Sequence, residues 1–251
     1  MSETRWWWIR HAPVTAHGGR IYGASDVPCD VSAREVFQRL AGHLPTDALW
    51  VTSHLRRTSQ TAEAIRAEMS PEHSTTPMPV AHLAEQNFGD WQGLRHAELA
   101  ERRDGAWHRF WLAPAHERPP GGESFEEVVD RVSKTVTDLT EQHLGRDIIA
   151  VTHGGTIRAA LAFALEIAPE RALAFEIANC SLTRLDFIAG ARGSWRLAPL
   201  SGESTLVRFR SWIDTGMAVP GFVQRALTKR SLPKVLRGLR AEVAKRLEES
   251  R

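Results

Sequence analysis

Four short stretches of this sequence combine residue types that suit phosphoryl transfer. Arg10-His11, Arg57, Glu85 and His153 supply two imidazoles, two guanidinium groups and one carboxyl group. A neutral imidazole can attack phosphorus and form a covalent phosphohistidine, and arginine forks stabilise the charge on the transferred oxygens. A carboxylic acid can protonate the departing alkoxide and then take a proton from water. The set therefore predicts phosphoryl-group chemistry that needs no metal ion.

The elements that must position these residues alternate between strands and helices. Short apolar runs predict four strands, at 6–9, 48–53, 147–153 and 181–188. Apolar residues at three- and four-residue spacing predict helices at 34–44, 58–69, 122–144 and 155–167. This alternation predicts an α/β three-layer sandwich, with a mostly parallel central sheet and helices on both faces. Ligands bind beyond the carboxyl ends of such strands, where Arg10, Ser53 and His153 stand.

The segment from about residue 83 to 122 interrupts the alternation. It is rich in aromatic residues and, toward its end, in proline and glycine. We expect it to be a cap insertion over the crevice. Its aromatic side chains suit either packing within the cap or binding of a ring-bearing substrate, and the sequence leaves both open for Trp91, Trp107, Phe110 and Trp111.

Five ordered segments resemble the histidine phosphatase superfamily, also called the phosphoglycerate mutase-like family, branch 1. They are "IRHAPV", "SHLRRTSQTAEAI", "LAEQNFGDWQG", "PPGGES" and "VTHGGTIRA", and the resemblance runs from Arg5 to about Asp186. Five segments in the family's order are far more specific than any one of them. The resemblance implies a phosphohistidine enzyme that uses no cofactor and no metal.

The resemblance also implies a role for each matching residue. His11 would be the nucleophile, and Glu85 would be the general acid and base. The phosphate would be bound by Arg10, Arg57 and His153.

The sequence departs from the family pattern beside the nucleophile. Ala12 replaces the usual glycine, and His17 stands where the family commonly has a phosphate-binding asparagine. Thr15 and His17 are the candidates to take over that role. Arg56, next to Arg57, is a further candidate for contact with substrate.

Two other positions are expected to contact the substrate. Gly154 lies between a strand and a helix, where it lets a phosphate approach backbone N–H groups. Tyr22 opens the stretch "YGASDVP", and together with "RHAPV" this stretch is most similar to α-ribazole phosphatases. The expected partner is therefore a small phosphorylated metabolite, with α-ribazole 5′-phosphate as the candidate.

Composition narrows the class of protein. A net charge of +2 over 251 residues does not predict a nucleic-acid-binding protein. Cys29 and Cys180 form no pair typical of a disulfide framework, and no apolar stretch is long enough for a membrane span. Metal-ligand and nucleotide-binding motifs are missing from the sequence as well. We expect a cytoplasmic protein.

The C-terminal part differs from the rest in charge. Residues 1–205 are expected to form the histidine phosphatase catalytic domain, and 206–251 a basic helical extension. From Trp212 to Arg251 there are nine basic and four acidic residues. A solvated helical tail and a segment that contacts a partner protein or an acidic membrane surface both fit this pattern. A homodimer is left open.

The sequence leaves two alternatives to a phosphatase open. A phosphoglycerate mutase-type phosphotransferase would form the same phosphohistidine and return the phosphate to a sugar acid. A non-enzymatic module would bind a membrane or nucleic acid through its basic tail. The "RHAPV" variant favours the phosphatase over the mutase, and the complete set of five pocket residues favours an enzyme.

Overall fold

The computed structural model describes residues 3–69, 76–102 and 111–188, together with the backbone of two further strands at 195–201 and 204–209. Within these residues the elements follow the alternation that the sequence predicts. The chain divides into two compact units, Met1–Trp212 and Ile213–Arg251, and the second lies outside the described residues.

A five-stranded sheet forms the centre of the first unit. Its strands are β1 (Glu3–Arg10), β2 (Ala48–Thr52), β3 (Met78–Pro79), β4 (Asp147–Thr152) and β5 (Leu182–Ile188), in the order β3-β2-β4-β1-β5. The first four strands are parallel, and β5 pairs with β1 in the antiparallel direction. Because β2, β4 and β1 are neighbours with the same direction, their carboxyl ends meet at one edge of the sheet.

Helices connect these strands. They are α1 (Arg34–Ala41), α2 (Arg56–Arg66), α3 (His96–Arg102), α4 (Phe125–Gln142), α5 (Gly154–Leu165) and the short α6 (Pro169–Ala172). Ser124 in the "PPGGES" segment is the N-cap of helix α4 and forms a capping box with Glu127. The Glu127 N–H donates to Ser124 Oγ at 3.2 Å, and the Ser124 N–H donates to Glu127 Oε2 at 2.7 Å. Such a cap contributes about 1 kcal/mol to helix stability.

The sheet is covered by an apolar core on each face. On one face Trp6 and Trp8 stack with their ring centroids 4.9 Å apart and pack with α4 and α5. On the other face Ile9 and Trp50 pack against α1 and α2. Burial of each such side chain contributes roughly 1.5–3 kcal/mol to folding. The predicted three-layer α/β sandwich is thereby confirmed.

The segment predicted as a cap has a small core of its own. That core comprises Ile21, Phe88, Trp91, Leu99, Leu112 and Ala113. Gly89 adopts a φ of +50° there, and a Cβ atom on it would lie 2.0 Å from the Pro120 carbonyl oxygen, so only glycine fits this turn. Trp107 and Phe110, two of the aromatic residues singled out above, lie outside the described residues.

A second, two-stranded sheet was not predicted by the sequence. It pairs β6 (Trp195–Ser201) with β7 (Ser204–Phe209) in the antiparallel direction. Residues 206–209 of the predicted helical extension therefore belong to a strand, and 210–251 lie outside the described residues. The domain boundary at 205, the basic tail and its partner stay predictions. None of the described helices combines the length and the apolar character that a membrane span requires.

Candidate active site

The ends of two neighbouring strands bring the two histidine motifs of the sequence side by side. Strand β1 ends at Arg10 and is followed by His11, and β4 is followed by His153. The His11 backbone N–H donates to the Thr152 carbonyl at 2.9 Å, which extends the β1–β4 pairing to His11. The centroids of the two imidazole rings lie 5.2 Å apart.

His11 is held in one orientation and one protonation state. It is 1% exposed, and its Nδ1 is hydrogen-bonded to the Ala12 carbonyl oxygen at 2.7 Å. A carbonyl only accepts, so the proton lies on Nδ1 and the Nε2 lone pair is left available. Burial, together with the positive charges of Arg57 and Arg10, lowers the pKa of His11 to about 3 although the Ala12 hydrogen bond opposes the shift. The ring is therefore neutral at neutral pH.

His153 has both ring nitrogens engaged within the protein. Arg57 Nε donates to His153 Nδ1 at 3.2 Å, and His153 Nε2 lies 2.8 Å from Ser53 Oγ. Since a guanidinium only donates, the proton of neutral His153 lies on Nε2 and faces Ser53. Burial and the nearby charge of Arg57 hold the pKa of His153 well below its ordinary value. In this state His153 fixes the Arg57 side chain.

Arg57 is completely buried near the first residues of α2. Its terminal nitrogens donate to the Ser25 carbonyl at 2.7 Å and the Gly23 carbonyl at 2.6 Å. The ring of Tyr22 lies 5.2 Å from Arg57 Cζ, in contact with the guanidinium. The loop after β1 thus orients the arginine that the family motif singles out.

Arg10 carries a donor, Nε, that no group among the described residues satisfies. Its Nη1 donates to the Ile177 carbonyl at 2.6 Å, whereas its Nε is buried without a hydrogen-bond partner among the described residues. A buried N–H without a partner costs free energy that a bound anion would recover. A Cβ atom on Gly154 would lie 3.5 Å from this Nε, so the glycine keeps the space beside it open.

Glu85 reaches the same place from the cap segment. Its Oε2 accepts a hydrogen bond from the Gly155 N–H at 3.1 Å, and its Oε1 accepts one from the Gln86 N–H at 2.9 Å. Thr156 Oγ1 donates to the Ala84 carbonyl at 2.8 Å and ties the preceding residue to α5. Backbone contacts on both sides therefore define where the carboxylate lies.

A partly buried ion pair between α4 and the "PPGGES" segment supports the loop that carries Glu85. Arg131 of α4 forms a bidentate pair with Glu123, both distances being 2.9 Å, and donates to the His82 carbonyl at 2.6 Å. Glu123 also accepts from the Asn87 N–H at 3.0 Å. Arg131 thus holds the start of the stretch that carries Glu85, and Glu123 of the "PPGGES" segment holds its end.

The candidate substrate-binding residues fall into two groups. Tyr22 and His17 lie at the site, since the Tyr22 ring is 6.5 Å from His11 and 5.3 Å from His17. Thr15 is exposed on the loop after β1, and Arg56 is exposed and directed at Asp26, whose carboxylate is 3.9 Å away. Gly154 lies at the first residue of α5, against Arg10.

Two residues of this site were not singled out from the sequence. Asn179, in the loop before β5, donates from Nδ2 to the His11 carbonyl at 2.8 Å and holds the backbone of His11 in place. Arg158 lies one helical turn after Gly154, and a Cβ atom on that glycine would be 3.2 Å from Arg158 Nη1. The four-residue spacing along α5 was the available signal, because residues four apart share a helix face. For Asn179 the sequence offers no comparable signal.

The curated relatives match parts of the chain. A bifunctional protein of Mycobacterium tuberculosis (strain H37Rv) is 35% identical over 120 residues, which is 48% of this chain and 33% of that protein. The glucosyl-3-phosphoglycerate phosphatase of Mycolicibacterium vanbaalenii is 34% identical over 164 residues, or 60% of this chain and 69% of the relative. This chain thus spans about a third of the first relative's length.

Solved structures share the fold over most of the chain. A mycobacterial glucosyl-3-phosphoglycerate phosphatase complexed with VO3 matches with a TM-score of 0.62 and 27% identity, covering 83% of this chain and 98% of the other. A protein described as a putative α-ribazole-5′-P phosphatase from Escherichia coli matches with a TM-score of 0.60 and 22% identity over 83% of this chain and 96% of the other, a likeness of fold alone.

The family model of the histidine phosphatase superfamily (branch 1) matches residues 6–198, which include most of β1, all of β2 to β5 and every residue of the site described above. The chain belongs to the histidine phosphatase superfamily, branch 1.

Proposed function

We propose that this protein is a metal-independent phosphomonoester hydrolase that acts on a small phosphorylated metabolite through a phosphohistidine at His11. The observation that carries the proposal is the state of the His11 ring. Its Nδ1 is hydrogen-bonded to the Ala12 carbonyl, which leaves the Nε2 lone pair available, and burial together with the charges of Arg57 and Arg10 lowers its pKa to about 3. This is the state that a nitrogen nucleophile needs at neutral pH.

The phosphate is bound by the groups around that lone pair. Arg10 offers the buried Nε that has no partner among the described residues, and Arg57 offers a guanidinium fixed by Gly23 and Ser25. His153 joins them only when the phosphate takes over the Arg57 Nε–H that His153 Nδ1 now accepts, because Nδ1 is then free to bind a proton and donate it. A dianionic phosphate favours this protonation, since an adjacent negative charge stabilises the imidazolium.

Glu85 serves first as acid and then as base. The Glu85 carboxylate takes up a proton from solvent when the substrate binds. As His11 Nε2 forms its bond to phosphorus, the ester P–O bond breaks and Glu85 gives this proton to the departing oxygen. Water then attacks phosphorus, Glu85 takes back a proton from it, and the P–N bond breaks to release phosphate and neutral His11. The products are an alcohol and inorganic phosphate, and the enzyme returns to its starting state.

The substrate has two candidates. The "RHAPV" variant favours α-ribazole 5′-phosphate, and the relatives named glucosyl-3-phosphoglycerate phosphatase favour a phosphorylated sugar acid. Both are small phosphate monoesters, which is the class we propose. The mutase-type alternative predicts that phosphate is transferred to an acceptor and that little is released in water.

The nucleophile is tested with His11→Ala. We expect hydrolysis of p-nitrophenyl phosphate by the wild type in the presence of a chelator, and its loss in the variant, with His43→Ala as a control on an exposed histidine outside the site. A brief reaction with radiolabelled substrate should leave an acid-labile, base-stable label on the wild type and none on His11→Ala. Hydrolysis that survives in His11→Ala, or that stops when the chelator is added, would overturn the proposal.

A further inference from the structure

Arg158 stands beside the proposed phosphate pocket with its guanidinium fixed in place. Its Nε donates to the Phe175 carbonyl at 2.8 Å, and its Cζ lies 4.6 Å from the centre of the Trp111 ring. Trp111 is itself held by a hydrogen bond from its Nε1 to Gln86 Oε1 at 2.9 Å. The arginine therefore has a defined plane and a defined edge, and that edge carries the two terminal nitrogens.

The terminal nitrogens of Arg158 face the start of α5 from the same side as Arg10. A Cβ atom on Gly154 would lie 3.2 Å from Arg158 Nη1 and 3.5 Å from Arg10 Nε. One small ligand on this glycine would therefore touch both side chains. The neighbouring Gly155 has the Trp111 ring edge and the Glu85 carboxylate beside it.

No acidic side chain among the described residues forms an ion pair with Arg158. Among the described residues, none of the hydrogen bonds or ion pairs involves its terminal nitrogens. Glu85 and Glu176 attract it at longer range, but both oxygens of Glu85 accept from backbone N–H groups. Burial lowers the pKa of Arg158 to about 10, so the group stays cationic at neutral pH although it is poorly hydrated. A desolvated cation without a partner favours an anionic ligand.

We propose that Arg158 binds a carboxylate of the substrate while Arg10 and Arg57 bind its phosphate, so that the preferred substrate is a phosphate ester of a hydroxy acid. This inference rests on the proposed phosphatase function. The free edge of a guanidinium presents two N–H groups in one plane, which pairs with the two oxygens of a carboxylate. The Trp111 ring covers one face of that plane.

The inference separates the two substrate candidates. α-Ribazole 5′-phosphate has no carboxylate, so Arg158 would gain no partner from it. A phosphorylated sugar acid has a carboxylate close to the phosphate ester and would use all three arginines.

Two pairs of phosphate esters measure the effect of a substrate carboxylate on hydrolysis. 3-Phosphoglycerate and glycerol 3-phosphate differ by a carboxylate in place of a hydroxymethyl group, and O-phosphoserine and O-phosphoethanolamine differ by the carboxylate alone. In the wild type we expect kcat/KM to be about 10- to 100-fold higher for the carboxylate-bearing member of each pair, the range of a charge-assisted hydrogen bond. Equal values in both pairs would overturn the inference.

Arg158→Met keeps an apolar stem over Trp111 and removes the charge, and Arg158→Lys keeps the charge and removes the fork. We expect the preference to disappear in Arg158→Met and to be reduced in Arg158→Lys. Arg184→Met is the matched control, because Arg184 lies over Trp7 with the same 4.6 Å separation on the distant strand β5 and should retain the wild-type preference. Circular dichroism confirms that each variant is folded.

The outcomes separate this inference from the proposed function. If Arg158→Met slows both members of each pair by the same factor, Arg158 binds the phosphoryl group or positions Glu85, and the inference is wrong. If His11→Ala retains hydrolysis, the nucleophile is wrong. A wild type that hydrolyses p-nitrophenyl phosphate through His11 but shows no carboxylate preference contradicts the inference alone.

Discussion

The Glu85 carboxylate accepts a hydrogen bond from the backbone N–H of Gly155 at 3.1 Å. Gly155 is only two residues beyond His153, so the proposed proton-transfer group and the proposed phosphate-binding group are attached to the same short piece of backbone. The contact also sets the carboxylate against the first turn of α5, where free N–H groups and the helix dipole attract negative charge. The cap segment and the sheet edge are joined at the point where the chemistry is proposed to occur.

Replacing Glu85 with Gln should slow the hydrolysis of a phosphate ester more when its leaving group is more basic. An alkoxide needs a proton as it departs, whereas p-nitrophenolate leaves without one. We expect kcat for glycerol 3-phosphate to fall about 100-fold or more, and kcat for p-nitrophenyl phosphate to fall far less. Steady-state kinetics on both esters measure the difference, with Glu126→Gln on the exposed side of α4 as the control. Equal slowing of the two esters would contradict the acid role.

Replacing Gly155 with Ala should mimic the loss of Glu85 while the fold is kept. The added Cβ would lie 2.2 Å from Glu85 Oε1, so the carboxylate must move, and the end of a flexible side chain can do so without unfolding the protein. We expect the same leaving-group pattern as in Glu85→Gln, with at least a tenfold drop for the alkyl ester.

Gly154→Ala provides the comparison for Gly155→Ala. Its nearest atoms, at 3.2 and 3.5 Å, belong to the ends of Arg158 and Arg10 rather than to Glu85. Its loss of activity should therefore not depend on the leaving group. A leaving-group effect in Gly154→Ala that equals that of Gly155→Ala would show that the clash with Glu85 is not the cause.

The buried imidazole of His11 should make stability depend on pH. In the unfolded chain His11 binds a proton below its ordinary pKa of 6.5, whereas in the folded protein it does so only at about 3. Lowering the pH through this window therefore favours the unfolded state, by about 1.4 kcal/mol per pH unit below 6.5. Integrated from pH 7 to pH 5, the contribution of His11 to the loss of unfolding free energy is about 2 kcal/mol.

His11→Asn isolates this contribution, because the amide N–H can still donate to the Ala12 carbonyl and the side chain does not titrate. Urea unfolding at pH 7, 6 and 5 gives the free energy for both proteins. The curve of the wild type should fall more steeply than that of the variant, by about 2 kcal/mol over the whole range. Parallel curves would mean that His11 is not buried as a neutral ring.

Most residues of the site could be predicted from the sequence, because the ends of strands in a parallel sheet are predictable. The run "WWWI" before Arg10-His11 and the run "DIIAVT" before His153 predict buried strands, and parallel neighbours end at one edge. Glu85 could be predicted only from its place in the family motif, because nothing in its local sequence indicates where the carboxylate of a loop residue will point.

The orientation of each side chain depended on contacts between segments far apart in the chain. Arg57 is turned by carbonyls of residues 23 and 25, Arg158 by the carbonyl of Phe175 and the ring of Trp111, and Arg56, next to Arg57, faces outward to Asp26. The hairpin of β6 and β7 likewise depends on pairing between strands, and Pro199 within β6 weakens its local signal.

The sequence by itself determined the α/β class, the strand ends and the identity of the groups that meet there, because hydrophobic periodicity and chain direction are local properties. Only the tertiary structure decided which ring nitrogen of His11 is free, that His153 is bound to Arg57, and that a third arginine shares the pocket. The contacts of His153 with Ser53 and Arg57 join residues about a hundred positions apart, so no window of sequence contains both sides of them. The bond of His11 is to the next residue, but its direction depends on the conformation of a buried loop, which the surrounding segments set.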